Sequence, residues 1–124
     1  LDTERVRLAE LFKGTPVVFM TTSEGNLRAT VPRRYCFEPG ASIVKPALAA
    51  VLGRVAKSQV TTSSRFRVGV PGDPGGRVAN LPQERARSVR DWLAAQGIAP
   101  ARLQVAPATQ TEQLELFVVP DSPA

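Results

Sequence analysis

Arg65-Phe66-Arg67-Val68-Gly69-Val70 leads through Pro71-Gly72-Asp73-Pro74-Gly75-Gly76 to Leu81-Pro82-Gln83-Glu84-Arg85-Ala86-Arg87-Ser88-Val89, and this succession carries the plan of the fold. The first segment alternates strictly, with Phe66, Val68 and Val70 on one side and Arg65, Arg67 and Gly69 on the other, the period of a half-buried strand. The stretch from Pro71 to Asn80 is too rich in glycine and proline to be anything but a loop. Asn80 followed by Gln83 has the spacing of a capping box. Beyond it Ala86, Val89 and Leu93 form one apolar helical stripe, with Trp92 beside it, and Gly97 supplies the stop. A strand, a loop and an amphipathic helix in immediate sequence imply a sheet with helices packed on it.

The flanks extend the same plan. Upstream, Leu48, Val51, Leu52 and Val55 recur at helical spacing behind Pro46, which suits a first helical turn. Earlier still, Val17 to Met20 is a nearly continuous apolar run, the signature of a central strand covered on both faces. Ser23-Glu24-Gly25-Asn26 is turn chemistry, and Leu27, Ala29 and Val31 alternate after it, so the two strands form a hairpin. A first short helix over 3–12, capped by Asp2 or Thr3, offers Val6, Leu8, Leu11 and Phe12 as apolar positions and stops at Gly14. Pro32 to Gly40 connects, with Tyr35 and Phe37 packing down on the core. Downstream, Arg102 to Val105 and Glu112 to Val119 are two more strands, the latter setting Leu114, Leu116 and Val118 against Glu115, Phe117 and Val119. The predicted order is α-β-β-α-β-α-β-β, a two-layer α/β (α+β) sandwich in a single domain over 1–124, with its core in about 15–119 and a frayed tail at 121–124.

Composition narrows the chemistry. At 124 residues and 43% hydrophobic the chain suffices for one compact domain. It contains no histidine and one cysteine, so Ser-His-Asp and Cys-His catalysis, an internal disulfide and a thiolate metal cluster are all excluded. Cys36, between Tyr35 and Phe37, reads as a small buried hydrophobe. Phosphate-loop and dinucleotide patterns are absent, and no cofactor is implied. Sixteen basic residues against eleven acidic ones leave a net charge of +5, which favours anionic partners. Arg65, Arg67, Arg85, Arg87 and Arg90 suggest a basic stripe for nucleic acid, but no aromatic side chains accompany the outward arginines of the Arg65–Val70 strand. No segment reaches the roughly 20 apolar residues of a membrane span, and the chain opens at Leu1 without a leader pattern. The expectation is a piece of a longer protein whose signal, anchor or partner domain lies elsewhere.

Several segments together resemble the OmpA-like (OmpA/MotB C-terminal) domains. Phe37-Glu38-Pro39-Gly40-Ala41-Ser42 before Pro46 and Leu48 is similar to that family's entry into its first long helix. Arg65 to Val70 is similar to the strand before its ligand loop, and Leu81 to Val89 to the opening of its next helix. Trp92-Leu93, Gly97-Ile98 and Arg102-Leu103 follow in step, so the resemblance spans about 15–119. It implies a mixed sheet and a non-catalytic periplasmic domain that binds the diaminopimelate-containing peptide stem of peptidoglycan. In the family an aspartate in the loop meets the ligand's ammonium and an arginine at the helix start meets its carboxylate. The matching positions are Asp73 and Arg85, and the resemblance implies that Gly72 and Gly76 of the same loop also belong to the peptidoglycan-binding set. Each also has a plainer reading: Asp73-Pro74-Gly75-Gly76 is an ordinary turn sequence, and Arg85 suits a solvated helix face.

The chain departs from the family pattern where Gly72 stands for the threonine before the aspartate and Pro82 for the capping serine. Thr111-Glu112-Gln113 replaces the family's asparagine-arginine-arginine. These departures keep a second expectation open, an OmpA-like scaffold without the ligand that serves protein–protein assembly in a secretion, motor or pilus complex. Implied partners are peptidoglycan and other envelope proteins, with a membrane engaged only through an anchor outside this chain, and an oligomer is compatible with either role.

Overall fold

In the computed structural model, which describes residues 2–72, 80–109 and 111–120, helices pack on one five-stranded sheet. The elements are α1 (Asp2–Leu11), β1 (Val18–Thr21), β2 (Leu27–Pro32), α2 (Arg33–Cys36), α3 (Pro46–Gln59), β3 (Arg65–Gly69), α4 (Leu81–Ala95), a 3₁₀ turn (Pro100–Arg102), β4 (Leu103–Val105) and β5 (Gln113–Val119). Strand order is β1-β2-β5-β3-β4, antiparallel except for the parallel β3–β4 pair. The sheet is therefore mixed, and α4 is the crossover of a β3–α4–β4 unit.

Register explains the core. Ala29, Leu116 and Val68 lie in one row across β2, β5 and β3, and Leu27, Val118 and Phe66 in the next. All six are at most 3% exposed, and Leu48, Val51, Leu52 and Val55 of α3 with Ala86, Val89 and Leu93 of α4 cover them. The other face carries Met20, Arg28, Phe117, Arg67 and Gln104 in one row. Arg67 lies over the Phe117 ring at 5.2 Å, and Arg28 donates from Nη2 to the Met20 sulfur at 3.2 Å.

Turn chemistry behaves as its residues dictate. Gly25 takes φ 81° in the hairpin, where Gly25 N–H donates to the Thr22 carbonyl and Thr22 N–H to the Asn26 carbonyl. At the end of α4, Gly97 takes φ 102° while Ile98 N–H donates to Leu93 and Gly97 N–H to Ala94. This is a Schellman closure, and it tucks Ile98 into the core. Gly69 is needed for another reason. A Cβ there would stand 3.1 Å from Thr109 Cγ2 and 3.3 Å from the Pro107 carbonyl, because the segment after β4 closes over that end of β3.

Three expectations need correction, and a fourth gains a detail. The Val17–Met20 run is not a doubly covered central strand: β1 is at an edge, with Val18 48% and Met20 45% exposed and only Phe19 buried. Continuous apolarity reports composition, whereas cover depends on helices that occupy one face only. In α1, Leu8 alone reaches the core, and Val6 and Leu11 remain more than half exposed. The 32–40 connection does pack Phe37 and Tyr35 on the core as expected, and it adds a single helical turn, α2, that swings Cys36 inward. Gly69, placed with Arg65 and Arg67 on the outward side of its strand, is buried under the 106–109 segment.

Cys36 is fully buried, with its Sγ donating to the Pro32 carbonyl at 3.4 Å. Burial pushes its thiol up to about 12 from an ordinary value near 9, although Arg85 and Lys45 pull the other way. The unfolded chain therefore loses this proton first. Stability contributed by the neutral thiol is intact below about pH 9 and falls as pH rises towards 12, by up to about 1.4 kcal/mol per unit. Urea midpoints measured at about pH 8 and pH 10 should fall more in the wild type than in Cys36→Ala, and parallel declines would refute this assignment.

Candidate functional site

The end of β3, the start of α4 and the loop entering α3 converge around Arg85. This residue is the fifth of α4, and its side chain is fully buried. Its Nε donates to the Ala41 carbonyl at 2.8 Å, Nη1 to Pro71 at 3.1 Å and Nη2 to Glu38 at 3.2 Å. The guanidinium also lies 4.9 Å from the centre of the Phe37 ring. A planar fork with five N–H groups suits this task, since it can engage several acceptors at fixed angles. Arg85 thus ties the 38–41 loop and the entry to the 71–72 segment onto one helix. The solvated-face reading of Arg85 is overturned, because both loops fold over the side chain and exclude water from it.

The capping box is also absent. Asn80 sits at the N-cap with φ 62°, and its side chain makes no capping bond. A capping asparagine needs an extended backbone to aim its oxygen at the next turn. In the left-handed conformation, which asparagine tolerates, Asn80 supplies only its carbonyl, to Glu84 N–H at 3.0 Å.

Of the other site residues expected from the sequence, Gly72 is half-buried and accepts a hydrogen bond on its carbonyl. A Cβ at Gly72 would lie at an ordinary 3.5 Å from Pro82 Cγ, so packing does not require glycine there. Asp73 and Gly76 lie outside the described residues.

The donor to Gly72 is Arg33, from α2, whose Nη1 reaches that carbonyl at 3.3 Å. Its Nη2 stands 4.0 Å from Glu112, and its backbone N–H donates to the Glu112 carbonyl at 2.8 Å. A second guanidinium therefore meets the segment that Arg85 holds at Pro71. Sequence reading missed it because Arg33 is distant from the loop along the chain. The juxtaposition follows only from the β2–β5 register, which sets Pro32 opposite Gln113 and hence Arg33 beside Glu112. Lys45 completes the surround, bonding the Arg34 carbonyl at 2.8 Å and pairing with Glu38 at 3.1 Å.

The proposed nucleic-acid stripe does not assemble. Arg65 and Arg67 point from the open sheet face, Arg85 is interior, and Arg87 and Arg90 are exposed on the helix that covers the opposite face. No helix among the described residues is long and apolar enough to cross a membrane.

No protein-family model matches the sequence, and no curated protein matches it. Solved structures do. The cell wall anchor of the T6SS from Pseudomonas aeruginosa superposes with TM-score 0.74 at 16% identity, over 94% of this chain and 97% of that one. A MotB-like protein from Desulfovibrio vulgaris gives 0.73 at 17%, over 97% and 91%. The OmpA-like domain of FopA1 from Francisella tularensis gives 0.59 at 11%, over 87% and 82%. At these identities the likeness is one of fold. The mixed sheet, its covering helices and their order give this chain the fold shared by these MotB-like, cell-wall-anchor and OmpA-like structures.

Proposed function

We propose that this chain is a non-catalytic periplasmic domain that tethers a cell-envelope protein to peptidoglycan, with Asp73 and Arg85 gripping the diaminopimelate of the peptide stem. The observation that carries the reading is the near-complete superposition on a cell wall anchor, over 94% of this chain. Supporting it, two guanidiniums, Arg33 and Arg85, reach the 71–72 segment that leads directly into Asp73. A zwitterionic ligand needs an acceptor-only anion beside a fork-shaped donor. Asp73 and Arg85 are those residue types, and for Arg85 to meet a carboxylate the 38–41 and 71–72 segments that bury it must part. Charge-assisted hydrogen bonds contribute about 1.5–3 kcal/mol each. Millimolar affinity requires about 4 kcal/mol, so two such contacts suffice for weak binding, which repetition along a polymer strengthens.

A second reading is favoured by one specific observation. Three donors of Arg85 are already committed to main-chain carbonyls, and Glu112 sits near Arg33. On that reading the domain is a scaffold for protein assembly within an envelope complex and has no wall ligand.

Retention on purified peptidoglycan separates the two. The diagnostic variant is Asp73→Asn, because substituting Arg85 would disturb the fold itself. Tethering predicts that wild type sediments with the polymer and that Asp73→Asn loses most of this retention. Equal retention of both proteins, or of neither, would leave the scaffold.

A further inference from the structure

A groove runs between α1 and α3, on the side of α3 turned away from the sheet. Its middle is an open cavity of about 600 Å³ lined by Leu11, Phe12, Ala50 and Gly53 together with Arg54 and Lys57. One end continues past Phe12 and Ala50 to an apolar hollow at Pro16, Val17 and Tyr35. The other end is lined by Arg7, Arg54, Lys57 and Ser58 above Leu8 and Leu11. From Ala47 to Ser58 the groove follows α3 for twelve residues, eleven steps that span about 16 Å at 1.5 Å each.

Charge separates the two ends. Among the described residues, no carboxylate lines the groove. Arg7 is tied to Glu4 at 2.6 Å. Arg54 and Lys57, one turn apart and both exposed, have no ion-pair partner among the described residues. Leu11 stays 52% exposed at the rim, and Leu8 is the one residue of α1 in the core. The trough therefore grades from an apolar end at Val17 and Tyr35 to a cationic end at Arg54 and Lys57. The small side chains of Ala49 and Ala50 leave room for another helix to approach, whereas Gly53 is already covered by Trp92.

We propose that this groove docks an amphipathic helix of a partner protein, about three turns long, with apolar residues against Phe12 and Ala50 and carboxylates against Arg54 and Lys57. The length matches a helix in a groove, the mode in which apolar anchors recur along one face. Electrostatic complementarity sets its direction, since a reversed helix would leave the acidic end over Tyr35 and Val17.

The test uses the full chain, isotope-labelled, with synthetic three-turn peptides bearing leucines along one face and glutamates in one terminal turn. Peptides with the acidic turn at either end are compared with lysine-for-glutamate counterparts. The expected result is amide shifts confined to α1, α3 and the 14–17 segment, from one acidic peptide only. Arg54→Glu with Lys57→Glu should raise its Kd at least about tenfold, and Ala50→Trp, which fills the trough, should abolish the shifts. Equal binding of glutamate and lysine peptides, shifts on the open sheet face, or no shift at all would overturn the proposal. So would shifts produced only by phosphatidylglycerol vesicles, which would assign the cations to a lipid surface.

Discussion

Arg85→Met is expected to lower the stability of the domain by about 3–5 kcal/mol, enough to unfold a large fraction of a marginally stable protein. Methionine keeps most of the volume and flexibility of the side chain, so the loss is not mainly one of packing. What disappears is the donor set that satisfies the carbonyls of Glu38, Ala41 and Pro71. A buried ion pair can sometimes be replaced whole by apolar residues without cost, because both charges leave together. Here the acceptors belong to the main chain and stay behind, each costing about 1–3 kcal/mol when unpaired. The contact with the Phe37 ring is lost as well. Arg85→Lys should fall between, since one ammonium cannot reach three carbonyls around a planar fork. Denaturant midpoints for the three proteins test the ranking. A Met variant as stable as wild type would show that Arg85 is not the strut between the two loops.

This role makes Arg85 a residue of the fold, whatever ligand the neighbouring loop meets. Arg85 was legible in the sequence as a cation at the start of a helix, and its position relative to the resembling motif singled it out. Its burial was not legible, because the loops that cover it come from residues 38–41 and 71, far apart along the chain. Period-based signals carried the core well: the stripes on α3 and α4 and the alternation of Leu27, Ala29, Val31, Leu114, Leu116 and Val118 all face inward. Signals that depend on tertiary cover failed. The run through Val18 and Met20 looked doubly buried, yet hydrophobicity cannot report where the sheet ends. Asn80 and Gln83 had the right spacing for a cap, and a left-handed backbone at Asn80 removed it. Arg33 entered the site through strand register, which no local pattern encodes.

The one-sidedness of the sheet has a direct energetic consequence. Leu116→Ala should cost about 2–5 kcal/mol, whereas Met20→Ala should change stability by no more than about 0.5 kcal/mol. Leu116 belongs to β5, the central strand, is 1% exposed, and pairs with Ala29 on one side and Val68 on the other. Shortening it opens a cavity beneath α3 and α4, where the close-packed neighbours relax only in part. Met20 belongs to the edge strand, is 45% exposed, and lies on the uncovered face with its sulfur near Arg28. Truncating it returns little apolar surface to water. Both residues are similarly apolar, so their contrast isolates cover from hydrophobicity. Urea midpoints at fixed pH, with unchanged slopes, give the comparison. A loss at Met20 approaching that at Leu116 would mean that something covers the open face in solution.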